Sequence, residues 1–486
     1  MSKRYKMYIG GEWVDSTSGK VFNEYSPATG KIFAKIPFGE KADAKRAIDA
    51  ANTAWPDWAH MPPTQRGMYL LKTAEILEKM QKDLADSLAE ETGSISVKAM
   101  VDIMDSVSYL RDAAFQVHNP TGEVLSSDMP GRFVMVKRHP VGVVGVIPPW
   151  NFPVVLAIRA IAPALSYGNT VVLKPSSESA VSGGIMLAEA FAEAGLPKGV
   201  FNVVTNAPGY SKDIGDEFVS NPKVRRISFT GSTEVGKHLA EKAGKYLKRI
   251  VLELGGSDPL IILGDTDIDY AVSAATFGRF FNQGQICMSV KRIIVEAPIA
   301  DEFIKRFASK VKGLKVGNPR EPDTVIGPVI NQSQLDKLKT QVEDAVAKGA
   351  KLLCGGKYEG LYCYPTVLTD IKSNMKVYSE EVFGPVAPVI VVKDADEAVR
   401  VANDSMYGLS AGILTNDFKK GLEIAERIES GMVHINDTSI YAEPCFPFGG
   451  VKESGLGRHG GRAAIEEFFT EPQGITMQRT SRQYPF

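Results

Sequence analysis

Short apolar runs that alternate with helical stretches constrain the fold of this chain more than any other feature. The first run, residues 141–147, is apolar throughout, as expected of a strand that is covered on both faces. Four more runs follow, and helical stretches such as residues 180–194 separate most of them. These four runs are residues 170–173, 201–204, 226–229 and 250–253. Strands that alternate with helices predict an α/β fold with a parallel sheet of the doubly wound type.

The length of the chain predicts more than one domain. At 486 residues it is too long for one ordinary core, so we expect two or three domains. A second α/β stretch begins near Pro259 and runs to about residue 450. Residues 123–139 and the tail after Thr470 alternate like exposed β-ribbons, which are marginally stable alone. We therefore expect these two segments to pair with each other and with another subunit.

Two long helices are predicted before the first strand of this sheet. Apolar residues from Ala44 to Trp55 fall on one helical face, and Pro56 is expected to end that helix. Thr64 is a plausible cap for the next helix, and Gly93 marks its end. We assign these helices to packing and no chemistry to them.

Charge and cysteine content exclude several classes of protein. The 56 basic and 57 acidic side chains give a net charge of -1, so neither nucleic acid nor an anionic membrane is an expected partner. The first residues lack an apolar signal core, and no apolar run reaches membrane-spanning length. The four cysteines show no metal-ligand spacing and are too few to cross-link the chain. We expect no metal site, free thiols and a cytoplasmic location.

Cys287 is the candidate nucleophile. It follows Gly284 by three residues, and a glycine lets the backbone approach a ligand closely. A thiolate attacks carbonyl carbon strongly once its surroundings lower its pKa. A small buried apolar residue is the alternative interpretation of any single cysteine.

Glu253 and Asn151 are further candidates, because each follows a predicted strand. A carboxylate at the carboxyl edge of a sheet, beside Gly255 and Gly256, suits a general base. Asn151 lies in a turn that three prolines fix, where its amide could donate to a developing oxyanion. A salt-bridged glutamate and an asparagine that bonds its own backbone are the alternatives.

Residues 229–236 combine a strand end, a Gly-Ser-Thr turn and a helix start. Free N–H groups at such a helix end favour phosphate. The turn does not match GxGxxG, and an ordinary capped helix would look similar. Lys174 and Ser177 follow another strand and could present an ammonium and a hydroxyl to a ribose or phosphate. A solvated loop is the alternative for these two residues.

Seven motifs in a fixed order resemble the aldehyde dehydrogenase superfamily, from Tyr8 to the C-terminus. Three further segments look similar to the benzaldehyde, vanillin and salicylaldehyde dehydrogenases: residues 156–165, 433–437 and 483–486. The motifs are Pro149-Trp-Asn-Phe-Pro153, Leu173-Lys-Pro175, Phe229-Thr-Gly-Ser232, Glu253-Leu-Gly-Gly256, Gly284-Gln-Ile-Cys287, Glu381-Val-Phe-Gly-Pro385 and Pro447-Phe-Gly-Gly-Val-Lys-Glu-Ser-Gly455.

The resemblance implies a three-domain architecture. A Rossmann-type dinucleotide-binding domain would comprise residues 1–120 and 141–253, and an α/β catalytic domain residues 254–452. A β-ribbon of residues 121–140 and 468–486 would join subunits into a homodimer or homotetramer.

The resemblance also implies a mechanism. Cys287 would attack a small-molecule aldehyde, and the amide of Asn151 with the backbone N–H of Cys287 would hold the oxyanion. Hydride transfer to NAD or NADP would leave a thioester, which Glu253 would hydrolyse by activating water. The cofactor would be bound by Ile147, Trp150, Lys174, Ser177, Gly231, Ser232, Gly236, Leu254, Glu381 and Phe383.

Two positions refine this expectation. Branches that pass the acyl group to coenzyme A commonly lack a glutamate at position 253, so its presence favours hydrolysis to the free acid. Strictly NAD-using members often carry a glutamate where this chain has Ser177. Because a carboxylate would repel a 2′-phosphate and a hydroxyl tolerates it, we predict that both NAD and NADP serve.

The expected substrate tunnel is apolar and aromatic, with no obvious arginine to bind a carboxylate. An aromatic aldehyde is the leading hypothesis, while aliphatic aldehydes and succinate semialdehyde remain open. A non-catalytic binding protein on the same fold is the alternative of another class. The candidate tunnel residues are Phe152, Phe281, Ile286, Met288, Tyr441 and Phe448.

Overall fold

The computed structural model describes residues 2–119 and 121–486, and its largest sheet has eight strands. The five central strands run parallel, and the strands at both ends run antiparallel to their neighbours. The spatial order is Gly455–Leu456, Arg249–Glu253, Val224–Thr230, Val143–Ile147, Thr170–Leu173, Phe201–Val203, Met7–Ile9 and Glu12–Val14. This arrangement confirms the predicted α/β class with a doubly wound parallel sheet.

Alternate residues of the central strand pack into different cores on the two faces of this sheet. Val144 and Val146 belong to one apolar cluster, whereas Val143 and Ile147 belong to another. This is the period of two that a pleated strand imposes. The helices of this half are Lys41–His60, Pro63–Lys79, Gln81–Thr92, Ser96–Gln116, Pro153–Ser166, Met186–Glu193, which follows the π-helical turn Val181–Ile185, Ser211–Ser220, Thr233–Lys245 and Arg462–Phe469.

The two predicted N-terminal helices differ from expectation. Pro56 does not end the first helix, which continues to His60. Pro56 lies on the exposed face, where water can hydrate the carbonyl that loses its N–H donor. The second prediction, from a cap at Thr64 to Gly93, is wrong at its start and interior. Pro63 occupies the first helical position, and the segment breaks at Met80 into two helices.

A second sheet confirms the predicted α/β stretch after Pro259. Its helices are Ile268–Phe280, Ala297–Lys312, Gln332–Ala347, Lys376–Ser379, Ala395–Asn403 and Phe418–Ala425. Its seven strands, in spatial order, are Lys351–Cys354, Thr366–Thr369, Val386–Val392, Val290–Glu296, Asp258–Ile262, Ser410–Leu414 and Met432–Ile435. The division of the chain into domains at the expected boundaries stays a prediction.

The two ribbon segments pair with each other, as expected. Arg132–Pro140 lies between Gly122–Leu125 and Thr470–Gln478 in an antiparallel three-stranded sheet. Val124 and Met477 on this ribbon are more than half exposed. The remaining strands are short: Lys3–Arg4 with Val21–Tyr25 and Ile32–Pro37, Tyr358–Glu359 with Tyr362–Cys363, and Tyr407–Gly408 with Val451–Lys452. Within the described ranges, every helix is too short or too polar to cross a membrane.

Candidate active site

A strained turn presents Cys287. After the helix Ile268–Phe280, Asn282, Gln283 and Gly284 have φ values of 50°, 55° and 70°, in the left-handed region. A Cβ on Gly284 would lie 2.5 Å from the carbonyl oxygen of Gly384. Only glycine fits this position, which explains the glycine three residues before the cysteine. Three consecutive left-handed residues are costly and are typical of functional sites.

Asn151 is bound to the same turn. Its Nδ2 atom donates to the carbonyl oxygen of Gln285 at 3.0 Å, and Asn282 Nδ2 donates to the carbonyl oxygen of Asn151 at 3.3 Å. Asn151 is buried and lines the same cavity as Cys287. Because a side-chain amide has two N–H donors, one remains for a ligand in that cavity.

Glu253 ends its strand as a buried carboxyl group without a hydrogen-bond partner on either oxygen within the described chain. Burial raises its pKa to about 8, although the charges of Arg159 and Arg458 oppose this shift. A Cβ on Gly449 would lie 2.8 Å from Glu253 Oε1, so this glycine makes room for the carboxyl group. A buried carboxyl group with no partner and a pKa near neutrality is suited to general-base chemistry.

The charges of Lys291, Arg159 and Glu253 all act on the pKa of Cys287. Burial raises the pKa of the Cys287 thiol to about 11, Lys291 and Arg159 lower it, and Glu253 raises it further. Lys291 Nζ donates to the carbonyl oxygens of Ile286 and Cys287. Glu253 and Cys287, 34 positions apart in the sequence, therefore lie close enough for their charges to interact.

A cavity of about 300 Å³ opens at Cys287. All six expected tunnel residues line it, together with Asn151 and Cys287. The expectation from the sequence that no arginine lines the tunnel is wrong, because Arg159 also lines the cavity. Its guanidinium lies 4.7 Å from the centre of the Phe448 ring and donates to Thr230 Oγ1 at 3.0 Å. The helix Ser96–Gln116 supplies four further lining residues that sequence reasoning missed: Val97, Val101, Asp105 and Tyr109.

A second cleft, of about 560 Å³, lies at the carboxyl edge of the eight-stranded sheet, where the strand order reverses. Open α/β sheets bind nucleotides at such a switch point. The helix Thr233–Lys245 begins here, and Ser232 caps it by accepting from the N–H of Val235 at 3.4 Å. The expected cofactor residues that line this cleft are Ile147, Trp150, Lys174, Ser177, Gly231 and Ser232.

The other four expected cofactor residues are not among the residues that line this cleft. Gly236 allows close packing on Leu254, because a Cβ there would lie 2.3 Å from the Leu254 side chain. Glu381 accepts from the N–H of Gly256 at 3.1 Å. The ring of Phe383 meets Trp150 edge-on, with the ring centres 5.7 Å apart.

Glu381 and Lys174 differ in how they are held. Lys291 Nζ lies 3.6 Å from Glu381 Oε1, so the lysine beside Cys287 also reaches the predicted nicotinamide ribose ligand. Lys174 Nζ donates to Asn206 Oδ1 at 2.7 Å and to the carbonyl oxygen of Pro175 at 3.0 Å. Burial lowers the Lys174 pKa to about 8. Its ammonium is thus fixed at the edge of the cleft.

Charged residues that sequence reasoning did not predict also line the second cleft. Lys212, Asp216 and His238 line it, and His238 Nε2 lies 3.0 Å from Asp216 Oδ1. They come from two helices, Ser211–Ser220 and Thr233–Lys245, and no local motif marks them. Only the packing of those helices brings them together.

A nucleotide-type cleft and a cavity that contains a cysteine occur together in this chain and point to an oxidoreductase. The chain belongs to the aldehyde dehydrogenase family, whose model matches residues 13–473. The resemblance inferred from the motifs is thereby confirmed. The protein is an aldehyde dehydrogenase, and its cofactor is NAD or NADP.

Known proteins of similar sequence and structure act on aromatic aldehydes, by their names. The chain is 43% identical to vanillin dehydrogenase of Pseudomonas fluorescens, and 99% of each chain is covered. It is 42% identical to the NAD⁺ benzaldehyde dehydrogenase of Pseudomonas putida, over 99% of this chain and 98% of that one. The crystal structure of salicylaldehyde dehydrogenase from Pseudomonas putida G7 with salicylaldehyde superposes with a TM-score of 0.97, at 40% identity and complete coverage of both chains.

Proposed function

We propose that this enzyme oxidises an aromatic aldehyde to the carboxylic acid through a thioester on Cys287, which is hydrolysed with Glu253 as base. One observation carries the proposal: the Cys287 thiol and the Asn151 amide share one largely apolar cavity, and the unpartnered carboxyl group of Glu253 lies next to it. The three groups match the needs of acyl chemistry, which are a nucleophile, an oxyanion donor and a base.

In the first step the Cys287 sulfur attacks the aldehyde carbon. Because burial keeps the thiol protonated, its proton must leave as the C–S bond forms, and either solvent or ionised Glu253 accepts it. The carbonyl oxygen becomes an oxyanion. The free N–H of the Asn151 amide and the backbone N–H of Cys287 stabilise it, which is the preorganised donation that lowers the barrier of such additions.

The residues around the second cleft fit a dinucleotide. The first turn of the helix Thr233–Lys245 has N–H groups without intrahelical acceptors, which suit a pyrophosphate next to Gly231 and Ser232. Lys174 and Ser177 would hold the adenosine ribose, and Glu381 and Phe383 the nicotinamide half. Bound NAD or NADP supplies the acceptor for the hydride that leaves the aldehyde carbon.

Loss of that hydride leaves a thioester between Cys287 and the acyl group. Any proton that Glu253 took from the thiol passes to solvent first. The ionised carboxylate then removes a proton from water, and the resulting hydroxide attacks the acyl carbon. The C–S bond breaks, the carboxylic acid leaves, and the thiolate takes back a proton. The high pKa of Glu253 makes its carboxylate a stronger base than an exposed glutamate.

The aromatic substrate class rests on the cavity walls and on the relatives. Aromatic rings of Phe152, Phe281 and Phe448 line a cavity of about 300 Å³. A planar ring packs well against such edges and faces. The similar proteins bear the names of vanillin, benzaldehyde and salicylaldehyde.

A panel of benzaldehyde, vanillin, hexanal and succinate semialdehyde, each with NAD and with NADP, tests the substrate class. We expect the aromatic aldehydes to give the highest kcat/KM, with free acid formed in the absence of coenzyme A. Aromatic aldehydes that rank last would contradict the proposal. A requirement for coenzyme A would instead indicate an acyl-transferring enzyme.

Exposed apolar side chains on the ribbon support an interface between subunits. Val124, Leu125 and Met477 expose apolar surface on a three-stranded sheet, and such patches are typical of interfaces. We propose that the ribbon joins copies of the chain into a homodimer or homotetramer. Sedimentation of the intact enzyme tests this, and a monomer at micromolar concentration would contradict it. The cytoplasmic location stays a prediction from cysteine usage.

A further inference from the structure

One wall of the substrate cavity is a single face of the helix Ser96–Gln116. Val97, Val101, Asp105 and Tyr109 follow one another at intervals of four residues, so they lie on the same side of the helix. The exposed fraction falls from 59% at Val97 to 5% at Tyr109. This wall therefore runs from the mouth of the cavity to its interior.

The interior end of the wall is the catalytic end. The charges of Arg159 and Glu253 act on the pKa of Tyr109, and the same two charges act on Cys287. Asp105 is one helical turn nearer the mouth, about 6 Å along the helix axis. An aromatic aldehyde whose carbonyl meets Cys287 would therefore place the far edge of its ring near Asp105.

Asp105 differs from the other carboxylate on this part of the helix. Asp102 is fully buried, but Lys98 Nζ donates to it at 2.9 Å and the N–H of Val155 at 2.8 Å. Asp105 is partly buried and makes neither an ion pair nor a side-chain hydrogen bond with any described residue. A carboxylate in a largely apolar wall is costly without a donor, and a ligand could provide that donor.

We propose that Asp105 determines specificity by accepting a hydrogen bond from a hydroxyl group on the ring of the aromatic aldehyde, at the edge far from the carbonyl. The proposal deepens the proposed function and rests on it. The substrate class is then a 3- or 4-hydroxylated benzaldehyde rather than benzaldehyde itself.

A neutral hydroxyl fits this place better than a charged group does. The Lys98 ammonium lies 4.6 Å from the centre of the Phe152 ring, and the Arg159 guanidinium 4.7 Å from that of Phe448. These two rings already have cations on one face, which disfavours a cationic substrate. A carboxylate at the far end of a substrate such as succinate semialdehyde would meet the like charge of Asp105, whereas the charge of Arg159 acts at the catalytic end, on Tyr109 and Cys287.

The ionisation of Asp105 is compatible with this role. Burial, helped by the nearby Asp102, raises its pKa to about 6. At pH 7 the group is mainly a carboxylate, which accepts hydrogen bonds strongly. An assay at pH 7 also keeps much of a 4-hydroxyl group protonated, so that it can donate.

The test compares aldehydes that differ in one donor. We would measure kcat/KM at pH 7 for benzaldehyde and for the 3- and 4-hydroxy and 3- and 4-methoxy derivatives, with wild type, Asp105→Leu and Asp105→Asn. We expect wild type to prefer the better hydroxy compound over its methoxy partner by about tenfold or more. Asp105→Leu should lose that preference and retain turnover of benzaldehyde, and Asp105→Asn should fall between them.

Two controls separate specificity from structure. Asp112→Asn makes the same change on the same helix at a carboxylate outside the cavity lining, and it should keep the full hydroxyl preference. In 2-hydroxybenzaldehyde the hydroxyl lies beside the carbonyl, so the change at Asp105 should alter its kcat/KM no more than that of benzaldehyde.

Three results would overturn the proposal. The first is a wild-type enzyme that turns over benzaldehyde without a hydroxyl preference, which leaves the proposed function intact. The second is a preference that survives Asp105→Leu, or an equal fall for all substrates in both Asp105 variants, which indicates a structural role. The third is failure of every aromatic aldehyde with wild type, which overturns the proposed function as well.

Discussion

The two clefts of this enzyme differ in how far their ionisable groups are buried. In and beside the proposed substrate cavity, burial raises the pKa of Cys287 to about 11 and that of Glu253 to about 8, so the groups proposed to react are largely neutral at pH 7. In the cofactor cleft, Lys212 and the His238–Asp216 pair lie at a polar rim. We call the first region dry because its reacting groups are buried, and the second wet because its rim carries partly exposed charges.

We infer from this difference that one cleft carries out the reaction and the other binds a charged ligand. In a dry site a carboxylate is a strong base, because it lacks water and partners to stabilise its charge. In a wet site charges attract and orient a charged ligand at little cost, since water screens them. We therefore expect changes in the dry cavity to abolish reaction steps, and changes in the wet cleft to alter affinity and cofactor choice.

The largest effect is expected at the nucleophile. Cys287→Ala should lower kcat by at least about 10⁴-fold, because without the thiol no thioester can form. Binding of NAD, followed by calorimetry, should be unchanged because the wet cleft is intact. Cys354→Ala, at a half-buried cysteine in the second sheet, serves as control and should keep full activity. Substantial turnover by Cys287→Ala would contradict the assignment of the reaction steps to the dry cavity.

The next effect in size is expected at the base. Glu253→Gln should lower steady-state turnover about 10²- to 10³-fold while keeping a stopped-flow burst of reduced cofactor, since hydrolysis of the thioester then limits the rate. Glu296→Gln is the matched control, because Glu296 is also a buried glutamate at a strand end. Loss of the burst as well would mean that Glu253 acts mainly earlier, on the thiol.

A smaller effect is expected from pH. The ionised form of Glu253 is the proposed base, and its pKa lies above the ordinary value at about 8. Steady-state turnover should therefore rise about tenfold per pH unit below pH 8 and level off above it. Glu253→Gln should lack the inflection near pH 8. An unchanged pH profile in this variant would assign the inflection to another group.

The smallest effect is expected in the wet cleft. Ser177→Glu should lower kcat/KM for NADP about tenfold or more, because its carboxylate repels the 2′-phosphate, and should leave the value for NAD nearly unchanged. Ser177→Ala removes the hydroxyl without adding charge and should change cofactor choice less. A wild-type enzyme about a thousandfold worse with NADP than with NAD would contradict the proposed use of both.

Two of the three catalytic residues predicted from the sequence lie at strand ends. A parallel strand that leads into a proline- or glycine-rich turn places the next side chain at the carboxyl edge of the sheet. Asn151 follows one such strand and Glu253 ends another. The parallel sheet was predicted from apolar runs that alternate with helical stretches, and the pairing of the ribbon segments from their alternating polarity.

Residues on helices were harder to predict. Asp105 faces the cavity only because the helix Ser96–Gln116 packs beside Cys287, and nothing in its neighbourhood in the sequence indicates that orientation. Arg159 lies in the apolar helix Pro153–Ser166, where a buried arginine is an anomaly that only a cavity explains. The continuation through Pro56 is likewise a tertiary effect, since packing of the buried face outweighs one lost hydrogen bond.

The most direct test of the proposed convergence of thiol, amide and carboxylate traps the acyl group. Glu253→Gln is mixed with benzaldehyde and NAD, quenched in acid after the burst, digested and analysed by mass spectrometry. We predict one benzoyl group on the peptide that contains Cys287, and none in Cys287→Ala. An unmodified Cys287 after a full burst, or a benzoyl group on Cys354, Cys363 or Cys445 instead, would contradict the account.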